Sequence, residues 1–349
     1  MPVSASDAIS PAYQRAKQQL FHPFRFGRWA RLAFVGILAG EAGNGGGCNS
    51  NFSAPWPNHP QGSPTIYHSI LPPLFANHPA YLVGLIALLA VLMFGLTLIF
   101  LYINSIMRFI LFDSVISGEC RVRRGWVRRR PHGRRLFRWQ VLLMLASLAV
   151  IAIVIGIPAA VAWAIGWFAN PGEHILRLVL TGIVAFLIFF AILVVSLVIQ
   201  VITKDFVVPQ MALEDITAIE GWRRLWPMLK SEKGGYAGYI GMKIVLAIVA
   251  GIILGIITIV ALFIVLVPVG GVGAIAVIAG KAAGLTWTVS TIALAVIAGC
   301  LALALFIFVA ALISVPAIVF FPAYSIYFFA TRYPALAALL WPAPATPPA

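Results

Sequence analysis

Catalysis needs titratable or nucleophilic groups that converge on one place, and this chain offers few of them. Its candidate carboxylates fall in two short stretches. Asp113 and Glu119 flank one helix end, and Asp205, Glu214, Asp215 and Glu220 share a second segment. Such pairs suit general acid and base work, but no H-E-x-x-H, G-x-S-x-G or P-loop accompanies them. Asp205 stands beside Lys204 and reads most simply as a boundary ion pair. His59, His68 and His78 lie close together, yet their spacing matches no metal motif, and Glu41 is the only carboxylate near them. Cys48, Cys120 and Cys300 make no disulfide framework, and the Gly45-Gly46-Gly47 before Cys48 is not a lipobox. The sequence therefore predicts no catalytic, cofactor-binding or metal residues, no cofactor and no enzyme.

What the residues do specify is a solvent. The chain is 62% hydrophobic and 10% charged, with mean hydropathy +1.00. Soluble domains are nearer a quarter charged. Several apolar runs exceed the length that a transmembrane helix needs. The expected fold is all-α: a polytopic transmembrane helical bundle of about six spans. These are arranged as three helical hairpins with interfacial amphipathic elbow helices.

Orientation follows from one stretch, ECRVRRGWVRRRPHGRRLFRW (residues 119–139), between two apolar runs. It holds nine arginines: Arg121, Arg123, Arg124, Arg128, Arg129, Arg130, Arg134, Arg135 and Arg138. A short loop this basic stays in the cytoplasm. The resulting topology puts 22 of the 24 Lys and Arg inside and leaves only Arg177 and Lys281 outside, with both termini cytoplasmic. The expected location is the inner (plasma) membrane. The net charge of +14 is then accounted for by this bias and by attraction to anionic headgroups, not by nucleic acid.

In chain order, residues 1–31 form a cytoplasmic interfacial amphipathic segment. Ser10 caps a helix there, and Arg15 and Lys17 face headgroups. Residues 32–335 are the transmembrane domain, opened by a short span over 32–40. Within it, residues 41–80 are an external Gly/Pro-rich loop and residues 118–138 a cytoplasmic arginine loop. Gly156 and Pro158 interrupt the span after Trp139, Asn170-Pro171-Gly172 is a tight external turn, and Ile175–Ile202 returns inward. Residues 203–243 are a second cytoplasmic interfacial segment. There Thr217 and Glu220 make a capping box. The helix that follows stripes Ala218, Trp222, Leu225, Trp226 and Leu229, with Arg223 and Arg224 off the stripe, and ends near Pro227. Pro268–Thr286 is an external turn or a short half-helix, Pro316 and Pro322 kink the last span, and residues 336–349 are a Pro-rich tail.

Three outward helices follow similar motifs: FGRWARL, HGRRLFRW and EGWRRLW. The aromatics and arginines of these elbows, Trp29, Trp126, Trp139, Trp222, Trp226, Arg223 and Arg224, are expected at the membrane-water interface. FRFGRWARLAFVGILAG and DFVVPQMALEDITAIEGWRRLWPMLK resemble a family of uncharacterised prokaryotic six-helix membrane proteins. More weakly, they resemble the membrane domain of some glycerophosphodiester phosphodiesterases. The resemblance covers most of the chain and implies an architecture and an envelope location, but no reaction, because its motifs are interfacial.

The span centres hold no charge and little polarity, chiefly Asn104, Ser147, Thr181, Ser196, Gln200 and Thr258. Together with the basic elbows this favours a non-catalytic scaffold or accessory protein whose nine loop arginines bind anionic lipid headgroups. The alternative is a transporter or permease for a small apolar or amphiphilic solute. A hydrated polar cavity among the span centres would favour the second, and a dry bundle the first.

Overall fold

The computed structural model describes residues 4–22, 25–41, 79–167, 175–282, 284 and 289–341. Among these residues there is no strand. Helix α1 is Ile9–Phe21, α2 Phe26–Leu38, α3 Pro79–Ser117, α4 Val122–Ile151, α5 Ile157–Ala164 and α6 Ile175–Ile202. They are followed by α7 Val208–Glu214, α8 Ala218–Ser231, α9 Lys233–Ala282, α10 Val289–Ala330 and α11 Pro334–Leu340. Five stretches of the described chain are long and apolar enough to cross a membrane: Val83–Ser117, Val122–Ala164, Ile175–Glu214, Lys233–Val265 and Thr291–Ala330.

Proline chemistry sets the irregularities. Two π-turns, Ala152–Gly156 and Thr203–Val207, stand just ahead of Pro158 and Pro209. A proline has no N–H, and its ring presses on the carbonyl four residues back, here Val154 and Asp205. Widening the turn relieves that pressure, and the Val208 N–H accordingly reaches Thr203, five residues back. Other prolines do less than expected. Helix α8 continues through Pro227 to Ser231, α9 through Pro268 to Ala282, and α10 through both Pro316 and Pro322. Leu225 near Pro227 and Val315 and Ile318 around Pro316 are buried, whereas Val267 beside Pro268 is exposed.

Each long helix changes character along its length. On α3, Val83, Leu88, Val91 and Leu92 are exposed, whereas Ile106, Phe109, Ile110 and Leu111 are buried. On α10, Leu294 to Phe308 is exposed and Val315 to Phe329 is buried. The buried ends of α3, α4, α6, α9 and α10 join the short helices in one core. Its centre is aromatic: Phe206 meets Tyr236, Tyr239, Phe328 and Phe329 at centroid separations of 5.1–6.0 Å. Glycine lets helices close on this core. A Cβ on Gly36 would stand 2.4 Å from Ile318, one on Gly133 2.4 Å from Ile106, and one on Gly221 2.7 Å from Val207. Gly133 and Gly221 belong to the second and third elbow motifs, while the corresponding Gly27 meets nothing.

Several expectations are corrected here. The segment over 32–40 becomes the end of α2, a helix of 13 residues. That is about 20 Å long, short of the ~30 Å a hydrocarbon core requires. Helix α1 begins at Ile9 with Ala8 as its N-cap, so Ser10 is not the cap. Arg15 donates to the Ile116 carbonyl at 2.5 Å, where the last carbonyls of α3 lack partners. Residues 336–340 belong to α11, and Leu336 is buried. Cys120 is buried and Cys300 exposed. Cys48, the three histidines, the Asn170–Gly172 turn and residues 342–349 lie outside the described residues.

Candidate functional site

The arginine stretch is helical, not a loop, and runs in line with the apolar part of α4. After Ser117 the chain turns at Gly118, whose φ of 73° suits glycine, and α4 packs back along α3. Helical spacing then divides the arginines. Arg129 falls on the inner face with Gly133 and Leu136. It is 7% exposed, grips Asp113 through two bonds of 2.7 and 2.6 Å, and donates to the Ala212 carbonyl at 2.9 Å. Arg135 bonds the carbonyl and carboxylate of Asp215, whose left-handed φ of 57° ends α7. Arg121 pairs with Glu119, and Arg130 donates to the Tyr102 hydroxyl. Arg123, Arg124, Arg128, Arg134 and Arg138 are exposed. The stretch therefore contains both structural and surface arginines, and Arg129 in particular is withdrawn from any headgroup.

Two of the elbow aromatics, Trp126 and Trp139, lie on this helix. Trp139 lies 6.4 Å from Trp222, whose Nε1 donates to Thr203 Oγ1 at 3.0 Å. Trp126 meets Tyr102 edge-on, and Trp29 Nε1 donates to the Leu312 carbonyl at 2.8 Å. Trp226 is 53% exposed, with Lys230 over its ring at 5.4 Å. Arg223 is exposed, and Arg224 pairs with Glu214 and Glu220. Thr217 caps α8 as expected, accepting from the Glu220 N–H at 3.3 Å, but the Glu220 carboxylate turns to Arg224.

A second assembly was not foreseen. Lys204 and Asp205 do not pair with each other. The π-turn sends Lys204 to Glu41 at 2.5 Å and Asp205 to Lys243, with the Tyr239 hydroxyl donating to Asp205 at 3.0 Å. Glu41 is 2% exposed and Asp205 3%. Burial disfavours the Glu41 carboxylate, but Lys204, with Lys243 and Arg108 beyond it, outweighs burial and holds its pKa below the ordinary glutamate range. Arg108 completes the group and donates to the Ala39 carbonyl at 3.4 Å. Stacked Tyr239 and Tyr324 close one side at 5.1 Å. A small cavity of ≈30 Å³ lies among Glu41, Arg108, Lys204 and Asp205, large enough for about one water.

Above this group is a groove of ≈410 Å³ between α3, α4 and α6. Leu143, Ile192 and Leu193 give it an apolar wall, and Gln140, Ser147, Ser196 and Gln200 a polar row. Ser147 and Ser196 share a hydrogen bond of 3.4 Å, and Ser105 donates to Gln140 at 2.6 Å. Arg108 lines both the groove and the small cavity. The sequence signal for this network was a set of single charges, Glu41, Arg108, Lys204, Asp205 and Lys243, each at the edge of a long apolar run. Among the described residues, no three His, Cys, Asp or Glu are grouped to hold a metal ion.

Comparison with known proteins adds an affiliation and no activity. Residues 3–339 match a family described as "Family of unknown function (DUF7544)". No curated protein and no solved structure matches the chain, so the weaker resemblance to glycerophosphodiester phosphodiesterases finds no support.

Proposed function

We propose that this chain, which belongs to the DUF7544 family of unknown function, is a non-catalytic scaffold or accessory protein of the inner membrane that engages anionic lipid. In this reading the five apolar stretches cross the bilayer, and the compact body lies on the cytoplasmic side. One observation carries it: the exposed arginines of α4 sit on a helix continuous with an apolar span. Arg138 and Arg134 stand closest to that span. They border a surface hollow of ≈480 Å³ with Arg135, Tyr102 and Phe137, a pairing of cations and aromatics suited to headgroups. Arg123 lies fifteen residues before Arg138, about 22 Å further along the helix and beyond two Debye lengths in physiological salt. Contact with lipid is therefore graded along α4.

The test uses purified protein and its co-purified cardiolipin and phosphatidylglycerol, at low and high salt. Arg134→Gln with Arg138→Gln is expected to lower retention and flatten its salt dependence. Arg123→Gln with Arg124→Gln should change it less. Equal retention in both variants and the parent would contradict the proposal. The permease reading is supported by the amphipathic groove, and solute profiling of a deletion strain separates the two.

A further inference from the structure

We infer that the groove between α3, α4 and α6 binds one anionic amphiphile, with its acyl chain along the groove and its negative head at Arg108. The inference needs the spans to be in a bilayer but not the arginine face of α4.

Charge is the first argument. Arg108, Lys204 and Lys243 meet two carboxylates, Glu41 and Asp205, and each carboxylate already holds a lysine. The other acids of the body are committed: Asp113 to Arg129, Glu119 to Arg121, Asp215 to Arg135, Glu214 and Glu220 to Arg224, and Glu232 to Arg332. Asp7 bonds Ser4 near the N-terminus. Residues 42–78 contain no Asp or Glu. Among the described residues, Arg108, Lys204 and Lys243 against Glu41 and Asp205 thus leave one positive charge in excess, and an excess charge withdrawn from water is costly. Arg108 is partly exposed and lines the groove.

Shape and polarity agree. From Thr203 to Phe189, both on the groove, α6 advances about 21 Å, comparable with one leaflet of a ~30 Å hydrocarbon core. One wall is apolar over that length, the polar row faces it, and the cation is at one end. Trp139 lines the same end, and its buried Nε1 has no acceptor. A phosphate or carboxylate there would accept from Arg108.

The full chain in phosphatidylcholine nanodiscs tests this by native mass spectrometry with 1-palmitoyl-lysophosphatidylglycerol, 1-palmitoyl-lysophosphatidylcholine and palmitate. The parent should prefer lysophosphatidylglycerol to lysophosphatidylcholine by about tenfold, the scale of one charge-assisted contact. Arg108→Gln should abolish the preference, Arg108→Lys should keep part of it, and Leu193→Trp should weaken both lysolipids by filling the groove. Competition by palmitate would identify a carboxylate head as sufficient, and its failure would identify phosphate. Arg134→Gln with Arg138→Gln should leave this binding intact, which separates it from the lipid face of α4. Unchanged preference in a folded Arg108→Gln, or unchanged binding in Leu193→Trp, would overturn the inference. Leu193→Trp does not touch the charge network and remains decisive if Arg108→Gln fails to fold.

Discussion

Between Val83 and Phe100, helix α3 exposes nearly every apolar side chain, and between Ser105 and Val115 it buries most of them. Both halves are helical and rich in leucine, isoleucine and phenylalanine. They differ in what touches them. The second half is enclosed by α1, α2, α4 and α10 of the same chain, whereas the first has apolar flanks that suit lipid. Helices α6 and α10 repeat the contrast. Two solvents are thus built into each helix, and a protein core supplies specificity only where short amphipathic helices surround the spans. In hydrocarbon, burial against a neighbouring helix gains little over burial against acyl chains, so the exposed halves contribute little to tertiary stability.

This contrast predicts unequal mutational effects. Phe206→Ala removes the ring at the centre of the aromatic cluster and should cost about 4 kcal/mol in thermal or denaturant unfolding of the purified protein. Phe186→Ala, on the exposed half of α6, should change stability by less than about 0.5 kcal/mol. Equal losses would show that the spans, too, are held by protein packing. The arginines provide the same comparison among polar residues. Arg129→Gln strands a carboxylate at Asp113 and should cost about 3 kcal/mol, whereas Arg128→Gln, one residue away on the exposed face, should be neutral. Thr217→Ala removes the α8 cap and should cost about 1 kcal/mol, loosening the Trp222 contact with Thr203.

The smallest effect concerns pH. Glu232 takes two bonds from Arg332, 2.7 and 2.6 Å, and these hold its carboxyl below the ordinary glutamate range. A depressed folded-state pKa gives stability that is present above the unfolded value, about 4.3, and is lost as pH falls through the folded value. The parent should therefore lose slightly more stability than Glu232→Gln on going from about pH 5 to about pH 3. The pair is partly exposed, so the difference should stay under about 1 kcal/mol. An identical pH dependence in the two proteins would remove the bridge from the account.

The sequence was legible where one residue type decides locally. Apolar run length fixed α6 at Ile175–Ile202, Thr217 marked the start of α8, and Pro158 announced the break after α4. It was illegible where a distant partner decides. Hydropathy reads transfer into an apolar medium and cannot say whether that medium is lipid or protein, so residues 32–40 read as a span although this part of the chain lies against Ile318 and Asn104. Nine arginines read as one loop because only the helical turn separates Arg129 from its neighbours. The pairing of Glu41 with Lys204 joins residues that are distant in sequence, through a π-turn caused by Pro209, and adjacency pointed instead to Asp205.

The central claim is that the buried body and the α4 arginines share the cytoplasmic side of a membrane crossed by the exposed helical halves. Cysteine accessibility labelling tests this directly in a background with Cys48, Cys120 and Cys300 replaced by alanine. Gly133 is packed on Ile106, so the inner reporter is Val127→Cys, on a side chain 74% exposed, and the outer reporter is Ala282→Cys at the far end of α9. With a membrane-impermeant maleimide, Ala282→Cys should label in intact cells, and Val127→Cys only after permeabilisation. Labelling of Val127→Cys in intact cells would contradict the account.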